Sequence, residues 1–138
     1  MGDTKPVKKR RVISEHVGEP PKDTWSNCLV IGNQVFIAGM TARGAEFDDM
    51  PAGGAYEQAV AIFRKIQHLM EAAGGGMKDV VKVLIYLTDI NDRDAVWKAR
   101  REFFTGDYPV STLIEISKLV RPELTVEIEA IGILGSGG

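Results

Sequence analysis

Apolar residues recur at helical spacing over one long stretch. Ala59, Ile62, Phe63, Ile66, Leu69, Met70 and Ala73 fall at i, i+3, i+4 and i+7 intervals, which predicts an amphipathic helix over 55–73. Glu57, Arg64, Lys65, Gln67 and Glu71 lie off that stripe, and Gly74-Gly75-Gly76 stops the helix. A shorter helix is expected over 92–104, with Asp89 or Asn91 as its cap. Ala95, Val96, Ala99 and Phe103 form its buried stripe, and Gly106 closes it.

Around these helices the period is two. Strands are expected over 28–31 and 35–38, joined by the tight-turn pair Gly32-Asn33. Further strands are expected over 79–88, 111–117 and 124–133, and a weak one over 10–14. Leu124, Val126, Ile128 and Ala130 would face the helices, and Thr125, Glu127, Glu129 and Ile131 the other side. Over 79–88, Val81, Val83, Ile85 and Leu87 share one face, and Val80, Lys82, Leu84 and Tyr86 the other. Over 111–117, Thr112, Ile114 and Ile116 are expected toward the helices, with Ser111, Leu113 and Glu115 outward.

The order β-β-β-α-β-α-β-β suits an open sheet with both helices on one face. The opposite face, with Leu84, Tyr86, Leu113 and Ile131, is too apolar to be left in water. Two helices cannot cover it, so further copies of the chain are the natural cover. The pattern thus predicts an oligomer with carboxylates near a subunit interface.

Composition narrows the chemistry. The chain has 138 residues, 44% hydrophobic and 26% charged, which is one globular domain able to fold without disulfides or metal. Cys28 is the one cysteine, and His16 and His68 stand far apart without ligand spacing, so neither a metal nor another cofactor is expected. A net charge of −2 argues against a nucleic-acid binder, and no apolar run approaches the roughly 20 residues of a membrane span. The basic run Lys5-Pro6-Val7-Lys8-Lys9-Arg10-Arg11 is followed by no apolar segment and is no secretory signal. Residues 1–9 are expected to be a disordered basic tail, 10–134 a single domain and 135–138 a flexible tail, in a cytoplasmic protein.

Three ordered segments carry a family resemblance: VFIAGMTA, EAAGGGMKDVVKVLIYLTDINDRDAV, and FF…YPVST ahead of the closing VEIEAIGIL. Together they resemble the Rid family (YjgF/RidA, reactive-intermediate imine deaminases). The resemblance implies an α+β, chorismate-mutase-like fold: a six-stranded mixed sheet with two helices on one face, forming a homotrimer with inter-subunit clefts. It also implies hydrolysis of small enamines and imines to keto acids and ammonia.

The family holds its substrate carboxylate with an arginine in Pro-Ala-Arg-Ser, and a guanidinium suits that role because it grips both oxygens. Here the matching text is Pro109-Val110-Ser111-Thr112, so Ser111 stands at the arginine position. Leu113 takes the place where several members carry cysteine, Trp25 that of a tyrosine, and Trp97 that of a helix asparagine. Gly39 lies in the segment matching the family's Ser-Gly-Gln, and Glu127 is kept where the family contacts its catalytic water.

These substitutions imply that 2-iminopropanoate is a poor substrate. Glu127 is the expected catalytic group, holding or activating a water that attacks a C=N carbon. The competing reading is a carboxylate paired with a cation across the interface. Ser111 would hydrogen-bond a ligand or merely make room, and Trp25 and Trp97 would line an aromatic pocket or simply pack. Arg43, then Arg93, are the candidate replacement cations.

The function expected is hydrolytic deamination of a small enamine or imine, with aminomuconate-like ring-cleavage products among the candidates. The alternative is a non-catalytic small-molecule-binding or interaction trimer. Ribonuclease activity, reported under another name for some relatives, is disfavoured: the chain has no basic groove interleaved with aromatics and no histidine pair for acid–base cleavage.

Overall fold

A computed structural model of the chain describes residues 7–44, 49–51 and 53–138. Residues 1–6 of the tail expected over 1–9, and part of the loop expected over 41–54, lie outside the described residues, while Lys9 of that tail is in a strand. The elements are β1 (Lys9–Arg11), β2 (Cys28–Ile31), β3 (Gln34–Met40), α1 (Ala55–Ala72), β4 (Val80–Leu87), α2 (Arg93–Arg100), β5 (Val110–Glu115) and β6 (Val126–Ile133). One mixed sheet runs in the order β1-β2-β3-β6-β4-β5, antiparallel throughout except for the parallel pair β4–β5.

Helix α1 buries the stripe its sequence predicts: Ala59, Ile62, Phe63, Ile66, Leu69 and Met70 are fully buried. Glu57 accepts the Gly54 N–H at 3.2 Å, tying off the first turn. At the other end Gly74 takes a φ of +102°, a left-handed turn that glycine adopts without strain, and Gly75 N donates to the Met70 carbonyl at 2.9 Å. Helix α2 is shorter than expected. It stops at Arg100, yet Phe103 and Phe104 still pack against Phe63 of α1, the first tilted and the second edge-on.

Two polar residues are buried in this layer because they complete backbone hydrogen bonding. Gln58 Nε2 donates to the Gly53 and Glu123 carbonyls, and its Oε1 accepts the Thr125 N–H. It thereby fixes the entry to β6. Asp79 accepts from Gly76 N and Gly137 N, and Lys78 Nζ donates to the Gly138 carbonyl, so residues 135–138 are tied back onto the domain.

Two face assignments change. The β4–β6 register shifts between Val80 and Lys82, so Val80 is buried with the core while Val81 is only half-buried. In β5 the whole phase is reversed. Leu113 pairs beside the buried Ile85, and Ile114 beside Tyr86. Ser111, Leu113 and Glu115 therefore lie on the helix side, and Val110, Thr112 and Ile114 on the open side. The alternation marks a strand, but both faces bear apolar residues, so the pattern does not say which one meets the helices. The open face consequently carries Phe36, Leu84, Tyr86, Ile114 and Ile131.

Candidate active site

The site grows out of an irregularity in β3. Ile37 pairs with Ala130 and Met40 with Ile128, so Ala38 and Gly39 together stand opposite Glu129. This is a bulge, and it brings bare backbone under the neighbouring side chain of β6. The Glu127 carboxylate fills that space: a Cβ at position 39 would stand 2.8 Å from Glu127 Oε2. A larger residue at 39 would force the carboxylate to move.

Around Glu127 and Gly39 an open cleft is lined by Trp25, Ala38, Arg43 and Val120. Trp25 is 43% exposed and Val120 64%, so in the single chain the apolar rim is presented rather than buried. Burial holds the Glu127 carboxyl above the usual carboxylate range; Glu129 adds to this and Arg43 opposes it. Glu129 is otherwise engaged, accepting a hydrogen bond from Tyr86 Oη at 2.7 Å. That bond is the main reason the Tyr86 phenol is raised. Two carboxylates on one strand face are thus differentiated, one tied to a phenol and one placed on the cleft.

Behind the cleft a smaller recess shares Trp25, Gly39 and Arg43 and is closed by Asn27, Thr41 and Lys65. Lys65 reaches in from α1 and donates to the Thr41 carbonyl at 2.7 Å and the Arg43 carbonyl at 2.6 Å. Burial, with a smaller contribution from Arg43, pushes its ammonium down to about 8. Arg43 Nε donates to Thr41 Oγ1 at 3.2 Å. Asn27 Nδ2 donates to the Gly18 carbonyl at 2.9 Å and Glu19 Oε2 at 3.3 Å, pinning the loop that leads to Trp25.

Of the residues expected at the site, the chain brings together Glu127, Gly39, Arg43 and Trp25. The others lie elsewhere. Ser111 is on the helix side of β5, where its Oγ accepts from Arg100 at 3.0 Å. Leu113 packs against the core. Trp97 is half-buried on α2, and Arg93 donates to the Ile90 carbonyl within its own turn. Cys28 is fully buried, and burial pushes its thiol up to about 11, which leaves little thiolate.

Sequence reasoning missed Lys65, Thr41, Asn27 and Val120. Lys65 carries the one readable signal: it lies at i+3 from Ile62 and i−4 from Leu69, at the margin of the buried stripe. The two histidines, distant in sequence, stack with ring centroids 4.3 Å apart. Among the described residues no three metal-ligating side chains converge, and no helix is long and apolar enough to cross a membrane.

Known proteins share this sequence pattern and this fold. The family model described as Endoribonuclease L-PSP matches residues 18–134. A 2-iminobutanoate/2-iminopropanoate deaminase of Dermatophagoides farinae is 29% identical, covering 91% of this chain and 97% of its own. A Pseudomonas aeruginosa protein of unknown function superposes with a TM-score of 0.85 at 39% identity, covering 94% of this chain and 95% of its own. RidA from an Antarctic Psychrobacter superposes with a TM-score of 0.81 at 29% identity, covering 91% of this chain and 100% of its own. The chain therefore belongs to the endoribonuclease L-PSP family, also called YjgF/RidA, and has its fold.

Proposed function

We propose that the protein is a hydrolytic deaminase of a small enamine or imine, working in clefts between the subunits of a homotrimer. The observation that carries this is the Glu127 carboxylate, its pKa raised by burial, seated over Gly39 in a cleft that Arg43 also lines. A carboxylate poised in this way can take a proton from water as the water oxygen bonds to the C=N carbon. The substrate reacts as its iminium, protonated on nitrogen by solvent, so this addition gives a neutral carbinolamine. Glu127 then returns its proton to the amino group, which leaves as ammonia while the hydroxyl proton passes to Glu127 and on to solvent, leaving the carbonyl product. An enamine enters the same path after protonation at its β-carbon. The deaminase names among the relatives support this reaction class.

Substrate choice follows from the walls. β5, with the sequence Val-Ser-Thr-Leu-Ile-Glu, offers no arginine to grip a small carboxylate. Trp25 and Val120 offer apolar contact instead, and Arg43 is the cation at the cleft. The reading is therefore of an imine larger and less polar than 2-iminopropanoate. The apolar open face of the sheet supports the trimer, and neither nucleic acid nor membrane is a partner in this scheme.

The test is ammonia release from imines generated in situ by an amino-acid oxidase, across small, branched and aromatic side chains. Acceleration for the larger imines that Glu127→Gln abolishes supports the proposal. The missing arginine on β5 favours one other reading, a non-catalytic binding trimer. Ligand binding without acceleration of any imine would establish that instead.

A further inference from the structure

We propose that Lys65 is a positioning residue for the cleft: from α1 it clamps the backbone of the loop that carries Arg43, and so sets the guanidinium beside Glu127. The argument starts from where Lys65 spends its hydrogen bonds. Both go to main-chain carbonyls, of Thr41 at 2.7 Å and Arg43 at 2.6 Å, two residues apart on one loop. Peptide oxygens held by one ammonium cannot move independently, so the backbone at Arg43 is fixed relative to the helix. Thr41 Oγ1 then takes Arg43 Nε at 3.2 Å, which carries the restraint from backbone to guanidinium.

Lys65 reaches the site through this chain of contacts. The charges that shift Glu127 are those of Glu129 and Arg43, whereas Lys65 is not among them. A lysine kept largely from water against a second cation is costly to maintain. A purely structural cross-link between helix and loop could be neutral, as it is for Gln58, which spans α1 and the entry to β6 with an amide. Charge-assisted bonds are about twice as strong as neutral ones, which suits a loop that must hold its own positive charge in place.

The inference rests on the reading of Glu127 as the acid–base group, but its test does not need turnover. The Glu127 carboxyl is titrated by carbon-detected NMR in the wild type and in Lys65→Met, Arg43→Gln and the double variant. Both single variants should raise the Glu127 midpoint by about one pH unit, the size of losing a nearby opposite charge. The double variant should move no further than Arg43→Gln alone, because Lys65 acts through Arg43. Lys65→Arg, which can donate to both carbonyls, should restore the wild-type midpoint. If Lys65→Met does not fold, Lys65→Gln, too short to reach both oxygens, takes its place with the same expectation.

An unchanged Glu127 midpoint in a folded Lys65 variant would overturn the proposal, as would additive shifts in the double variant, since these would mean a direct charge effect. Midpoints that shift as expected while every imine is left unhydrolysed would uphold the clamp and remove the deaminase reading.

Discussion

Gly39 lies so closely beneath Glu127 that the carboxylate occupies the position of the side chain glycine lacks, 2.8 Å from where a Cβ would be. Position 39 does not require left-handed backbone, so alanine introduces no dihedral strain there. Its effect is displacement alone. Gly39→Ala should leave the melting temperature within a few degrees of wild type and cut turnover by about 10²-fold, the scale of a 1 Å misplacement of a reacting group. Turnover and thermal midpoint measured on one preparation check this. Wild-type turnover in Gly39→Ala would show that the seat of the carboxylate is irrelevant to the chemistry.

Glu127→Gln removes the base and should lower turnover by about 10²-fold or more. It should also raise stability at neutral pH. A carboxyl whose folded pKa lies above its unfolded value binds more protons when folded, so its contribution is fully present below about pH 4.5 and is lost as pH rises through the folded pKa. The amide escapes that loss. The variant should therefore melt higher at pH 7, with the gap closing on acidification toward pH 4. A variant that melts earlier yet turns over normally would mark Glu127 as a structural partner.

The reversed phase of β5 moves the place where an engineered arginine should work. Thr112 lies on the open face in register with Leu84, whereas Ser111 faces the helix side beside Arg100. Thr112→Arg should raise activity on 2-iminopropanoate, by roughly 30–1000-fold if a full charge-assisted contact worth 2–4 kcal/mol is gained. Ser111→Arg should not, because it sets one guanidinium against another. The reverse ranking would show that β5 presents Ser111 to the substrate.

The open face predicts assembly. Phe36 and Ile114 are 37% and 41% exposed in the protomer, and Leu84 and Ile131 lie beside them. Light scattering at micromolar concentration should give three times the chain mass, and Ile114→Asp should shift it toward the monomer. A stable wild-type monomer would remove the inter-subunit cleft from the scheme.

Much of this was legible from the chain. The stripe from Ala59 to Met70 could pack only one way, and the alternation Val126, Ile128, Ala130 against Glu127, Glu129, Ile131 fixed which face of β6 held the acids. Glu127, Gly39, Arg43 and Trp25 were named from sequence and meet in one cleft. What could not be read depends on partners from elsewhere in the chain. β5 is an edge strand, and its phase is set by pairing with β4 rather than by its own residues. Lys65 and Gln58 look like solvated positions until the loop and strand ends they serve are in place, because their partners are backbone carbonyls and N–H groups that any residue supplies.

The strand order has a further consequence, for the history of the molecule rather than its finished form. β6 is the last strand along the chain but lies between β3 and β4, so it is the seam that joins two otherwise separate halves of the sheet. Synthesis delivers β1–β3 and β4–β5 first, each with an unpaired edge that only β6 can close. Such distant pairing is slow to form, since a long loop must be closed before any contact rewards it. Gly39 is on one side of that seam and Glu127 is on the seam itself. The cleft therefore does not exist in any partly folded form that lacks β6, and it takes shape in the same event that pairs the inner edges of β3 and β4.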